Sequence, residues 1–244
     1  MNNIRMIKYE IQRLIFSKIY VLMFITTILF TYHILTNNVI LGTGDTAPFS
    51  KWSYSKFICE INPFLLIILL FFCTYTFSKK EFRVRTITMT TPMSTAKYYL
   101  IKGASIFFAY AITAAVTIGL SLIFYALVFK FYSFQDFIVP ILLFLLPPAI
   151  FIFGLAMVLG SINEFLIFIL MPVVYFIGNV NYKIPLELDL FCNNFIENYL
   201  FSIKINLLGD VPFLIPGSMI ISRLTFIAIG ILLFAYLCII SNKK

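Results

Sequence analysis

Long apolar runs separated by short polar segments dominate this chain. A bilayer-spanning helix needs about 20 mostly apolar residues. Six runs approach that requirement: about Ile19–Leu35, Asn62–Phe77, Gly103–Phe129, Phe137–Leu159, Phe165–Val180 and Ser218–Ile240. The second and fifth are short, which suits tilted or locally broken helices. The pattern predicts an all-α integral membrane protein with six transmembrane helices.

Shorter patterns fill in the plan. Near the start, Ile4, Ile7, Ile11, Leu14 and Ile15 recur at spacings of three and four, with Arg5, Lys8, Gln12 and Arg13 on other faces. That periodicity predicts an amphipathic interfacial helix over residues 1–18, lying along the inner membrane surface. Residues 36–61 read as an outer loop containing the turn-rich stretch GTGDTAP. Residues 181–217 read as a second, semi-hydrophobic outer loop, too polar to span but rich in Leu, Phe and Ile. Short interfacial or re-entrant helices fit it. Pro147 and Pro148 should kink the fourth helix and Pro172 the fifth, because each removes a backbone donor. Ala111, Ala115 and Gly119 on the third helix, and Ala156 and Gly160 on the fourth, are small-residue stripes that permit close helix packing within the chain or against a second copy. There is no sequence repeat.

Composition excludes a water-soluble protein. Apolar residues make up 61% of the 244 and charged residues 11%, where soluble domains carry about 25% charged. Twelve basic residues flank the helices on one side, among them Arg5, Arg13, Lys79, Lys80, Arg83 and Lys102, against six on the other. Seven of the ten acidic residues fall on that second side. The positive-inside rule therefore places both termini in the cytoplasm. It also accounts for the net charge of +8 without nucleic acid, which is not expected as a partner; anionic membrane lipids are. No cleavable signal peptide is expected, since no small-residue site follows the first run. Cys73 and Cys238 lie in apolar runs and read as packing residues. Cys59 and Cys192 fall in the two outer loops, and a disulfide between them is left open.

Chemistry is notable for what is missing. No Asp, Glu, Lys, Arg or His sits mid-span, so the relays of an ion-coupled pump have no residues to use. His33, the only histidine, and Arg223 lie near outer helix ends, where snorkelling is easy. One histidine supports neither a zinc site nor a Ser–His hydrolase. The phosphate-loop pattern GxxxxGK[ST] is absent. The chain is not expected to be an enzyme.

The most distinctive positive feature is the basic connector between the second and third helices, FSKKEFRVRTITMTTPMSTAKYYLIKG, residues 77–103. Pro92 breaks it, and Ser94 and Thr95 are candidate helix caps. The layout of amphipathic start, six spans, connector and semi-hydrophobic outer loop resembles the membrane subunits of type-2 ABC exporters. The connector motif of that family is similar to Glu81, Arg85-Thr86, Pro92-x-Ser94, Tyr98 or Tyr99, and Lys102, with Arg85 standing where the family has glycine. The resemblance implies a single transmembrane domain over residues 1–244 in which the connector, residues 78–102, is a coupling helix. Glu81, Arg83, Pro92, Ser94 and Lys97 would dock on a separate cytoplasmic ATPase. That ATPase would bind ATP and Mg, with no cofactor on this chain. A second permease copy or a paralogue would complete the transporter. The implied function is export of an amphipathic or hydrophobic substrate, an antimicrobial peptide among the candidates, through a bacterial cytoplasmic membrane. The alternative from another class is an ATP-independent immunity or binding protein that captures a hydrophobic peptide on the outer loop.

Overall fold

The computed structural model describes residues 3–44, 46–88, 94–180, 184–200, 202 and 212–241. Among these, every regular element is helical. In chain order they are α1 (Asn3–Ile15), α2 (Lys18–Ile34) with a π-helical turn (Leu35–Val39), α3 (Lys51–Phe77), α4 (Lys79–Thr88) and α5 (Thr95–Val128). After a 3-10 turn (Phe134–Phe137) follow α6 (Ile138–Phe144), α7 (Leu146–Ile162), α8 (Glu164–Asn179), a second π-helical turn (Phe195–Tyr199) and α9 (Gly217–Ser241). Five helical stretches are long and apolar enough to cross a membrane: Lys18–Val39, Lys51–Arg83, Thr95–Val128, Phe134–Ile162 and Gly217–Ser241. The α8 helix is apolar but has 16 residues, about 24 Å of helix against a hydrocarbon core of about 30 Å. This is the build of a membrane-embedded helical bundle.

The α3 helix is the hub. Of its most apolar stretch 78% is buried, against 17% for α9, so α3 packs on all sides while α9 leaves most of its surface to the surroundings. Around α3 stand α8, α7, α5, α2 and α6. Polar side chains tie the bundle together at a few points. The Tyr20 hydroxyl lies 3.0 Å from Thr113 Oγ1, joining α2 to α5, and the Tyr54 hydroxyl lies 3.1 Å from Ser121 Oγ, joining α3 to α5. Such bonds hold helices where lipid supplies no hydrophobic drive between them.

Helix α3 begins eleven residues earlier than the apolar run suggests. Lys51–Ile61, read from sequence as loop, is helical and mostly buried. Lys56, Glu60 and Asn62 interrupt the apolar pattern, but Lys56 and Glu60 pair at i,i+4, and Asn38 donates to Glu60 at 2.7 Å. Asn62 has a structural task. Its Nδ2 donates to the Phe144 carbonyl at 3.0 Å, the carbonyl whose helical partner would be the N–H that Pro148 lacks. The expected break in the fourth span is therefore real. It falls at Leu145, between α6 and α7, and α3 supplies the missing donor. By contrast α8 continues through Pro172.

The two small-residue stripes differ. Ala156 is fully buried, and a Cβ on Gly160 would meet the Phe77 ring at 2.3 Å, so that stripe packs within the chain. Ala111 and Ala115 are exposed, and nothing lies within 4 Å of a Cβ on Gly119, so the α5 stripe faces outward. One tight approach between helices is not suggested by the sequence pattern: a Cβ on Gly154 would sit 2.2 Å from the Gly230 carbonyl, locking α7 to α9.

The end opposite α1 is covered by the described part of the segment between α8 and α9. Phe191, Cys192, Phe195, Ile196 and Leu200 are buried, and Phe195 packs against Trp52, Phe144 and Phe213. The described part of the segment thus packs onto the bundle through its apolar side chains. Arg223 does not snorkel. It is 2% exposed and donates to the backbone carbonyls of Asp189 and Leu190, the latter at 2.9 Å. Asp189 in turn accepts from the Asn194 and Phe195 amides at 2.8 and 3.4 Å. Burial pushes the Asp189 carboxyl above its ordinary range, against the opposing pull of the Arg223 charge and those amides. Cys59 belongs to α3 rather than to a loop; its thiol touches that of Cys192, and the two are free and buried.

Candidate coupling site at the basic end

At the other end the chain leaves α3 at Ser78, whose extended backbone ends the helix. The Ser78 hydroxyl accepts from the Glu81 amide at 3.3 Å. This is the S-x-x-E signature of a helix start, and it begins α4 at once. Ser94 does the same for α5, accepting from the Lys97 amide at 3.3 Å. Two serine caps therefore fix where the connector begins and where it rejoins the bundle.

Between them a charged cluster forms from three helices. Tyr98 and Lys102 are four residues apart and share one face of α5. Glu10 and Arg13 are three apart on one face of α1. Glu81, in the first turn of α4, lies between these faces. Its carboxylate accepts from the Tyr98 hydroxyl at 2.7 Å, pairs with Arg13 at 2.8 Å, and contacts the Lys102 ammonium. Lys102 also reaches Glu10 at 2.7 Å, and Arg13 reaches Glu10 at 3.4 Å. Two cations and two carboxylates close a ring of ion pairs. Glu81 is 2% and Lys102 6% exposed, so neither can find water if its partners leave. Burial alone would lower the Arg13 pKa, but Glu10 and Glu81 outweigh it and raise it, which keeps the guanidinium charged.

Of the residues singled out by sequence, Glu81 is the centre of this ring. Ser94 caps α5. Arg83 and Lys97 are exposed and make no ion pair among the described residues. Pro92 lies outside the described residues. Arg13 and Glu10 were legible only as positive-inside flank and amphipathic helix; opposite charges at i,i+3 on α1 were the available signal for more. The arrangement performs no bond chemistry. It joins the connector rigidly to both the first helix and the third span, while leaving two basic side chains on the connector and its exit free to meet a partner.

Comparison with known proteins gives no match to a family model, a curated protein or a solved structure.

Proposed function

We propose that this chain is the membrane-spanning subunit of an ATP-driven exporter of the type-2 ABC class, with six spans and both termini in the cytoplasm. The observation that carries the reading is the buried ring at Glu81. A connector between two spans that served only as a tether would need no buried carboxylate held by three partners. One that receives force needs rigid attachment, and Glu81 attaches α4 to α1 and α5 together. A push on the connector from a cytoplasmic ATPase then moves the first helix and the third span as a unit. The outward-facing α5 stripe leaves room for a second copy or a paralogue. The cargo is amphipathic or hydrophobic, an antimicrobial peptide among the candidates, because the spans carry no fixed charge at mid-depth. ATP hydrolysis belongs to the partner.

The peptide-capture alternative drew on the apolar outer loop. Phe191, Phe195, Ile196 and Leu200 of that loop point inward, which leaves less apolar surface there for a peptide to grip.

The test is to express the chain with a candidate ABC ATPase and purify through a tag on this chain. Co-purification of the ATPase with ATP hydrolysis supports the proposal. Replacing both exposed basic residues, R83A with K97A, should release the ATPase while the chain itself still reaches the membrane. A stable chain that never brings an ATPase with it overturns the reading.

A further inference from the structure

Beside the Glu81 ring a cleft of about 460 Å³ opens between α1, α3, α4 and the start of α8. Its size lies within the range of small-molecule sites, about 300–1,000 Å³. Its walls divide by chemistry. Ile19, Phe71 and Phe168 line the part toward the spans, and Arg13, Lys80 and Glu164 the part toward the ring. Ile19 opens α2 and Phe168 lies in the second turn of α8; both are half-exposed, which places the cleft mouth at helix ends, where a bilayer changes from hydrocarbon to headgroup. Glu81 also lines the cleft, but its carboxylate is committed to Tyr98, Lys102 and Arg13. Lys80 and Glu164 make no ion pair among the described residues.

An occupant must therefore be apolar at one end and carry both signs of charge at the other. A detergent-like or purely anionic molecule would leave Glu164 facing its own sign. We propose that the cleft binds an aminophospholipid, a lipid whose headgroup joins a phosphate to a primary ammonium. The phosphate lies against Lys80 and Arg13, the ammonium against Glu164, and the glycerol and upper acyl chains against Phe71, Phe168 and Ile19. Charge-assisted hydrogen bonds set the headgroup preference. The apolar wall sets the orientation. The inference requires a membrane-embedded chain but not the exporter reading, so either can fail without the other.

The experiment uses the full chain purified in detergent and titrated with phosphatidylethanolamine, phosphatidylglycerol and phosphatidylcholine, with bound lipid counted by native mass spectrometry. Soluble phosphoethanolamine serves as the headgroup-only arm. Wild type should retain phosphatidylethanolamine in preference to the other two lipids and bind the soluble headgroup far more weakly. Lys80→Gln should weaken retention of all three lipids. Glu164→Gln should weaken phosphatidylethanolamine alone, by about 10–100-fold, the factor expected for losing a hydrogen bond to a charged group. Lys80 is exposed and Glu164 partly exposed at the cleft, so the variants should fold, and an unchanged melting temperature without added lipid verifies it. Equal retention of the three lipids, or a Glu164→Gln variant that keeps the wild-type preference, overturns the proposal.

Discussion

Glu81 illustrates how a residue's surroundings set the cost of removing it. Its three contacts satisfy the carboxylate, and it shares with Glu10 the neutralising of the buried Lys102. Glu81→Ala would leave that ammonium in a dry site with Glu10 as its one carboxylate, a loss of up to about 3–5 kcal/mol for a broken buried pair. The melting temperature in detergent should fall accordingly, and Glu81→Gln, which keeps an acceptor for Tyr98, should fall less. Asp189, at the opposite end, carries a pH dependence. Burial raises its pKa above the unfolded value of about 3.9. The proton is thus held more tightly in the folded state. The favourable contribution is complete below the unfolded value and is lost as pH rises through the folded one. Wild type should therefore lose more stability than Asp189→Asn between pH 4 and pH 8 in melting experiments. Asp189→Ala should be worse than either at every pH, since the Asn194 and Phe195 amides lose their acceptor, at a cost of about 1–3 kcal/mol. Parallel pH profiles for wild type and Asp189→Asn would contradict this account. From sequence, Glu81 stood out because it is the acidic residue of the basic connector, where the family it resembles carries one. Arg223 did not: an arginine near a helix end reads as snorkelling, and only the folded loop shows that backbone carbonyls replace the water.

Among the elements, helix existence was easier to read than helix extent. The apolar runs correspond to α2, α3, α5, the α6–α7 pair, α8 and α9, because about 20 apolar residues have few other uses. The start of α3 was missed because hydropathy sees Lys56, Glu60 and Asn62 as loop residues, whereas in the fold Lys56 pairs with Glu60, Asn38 donates to Glu60 and Asn62 donates to the Phe144 carbonyl. Two Pro residues in α6–α7 announced a break; that Asn62 would mend it depends on a contact 82 residues away in sequence, which no local pattern encodes. Glycine packing separates in the same way. Gly154→Ala puts a methyl carbon against the Gly230 carbonyl and should force α7 from α9, destabilising the bundle by about 1–3 kcal/mol. Gly119→Ala meets nothing and should stabilise α5 by about 0.5–1 kcal/mol. Thermal melting of the two variants side by side checks the pair; if both destabilise the isolated chain equally, the α7–α9 contact is not the tight one.

For the whole molecule, the bundle is clamped at both ends by charge and filled between by apolar side chains. At one end Arg223 and Asp189 hold the segment between α8 and α9 against the bundle. At the other the Glu81 ring holds α1 and α4 to α5. Such a body responds to force on its connector by moving as linked helices rather than by yielding at one joint, which is the property an ATP-driven exporter subunit needs. The resemblance that suggested this role rested on layout, and layout is what hydropathy and charge reveal; the three-helix ring behind it became visible only in three dimensions. The most direct test places a photo-crosslinking amino acid at Arg83 or Lys97, and as a control at Leu188, which is exposed at the end opposite α1, in cells that also make a candidate ABC ATPase. The account predicts crosslinks from Arg83 and Lys97 to the ATPase and none from Leu188. An ATPase that is present in the cell but crosslinks from neither Arg83 nor Lys97 would contradict it.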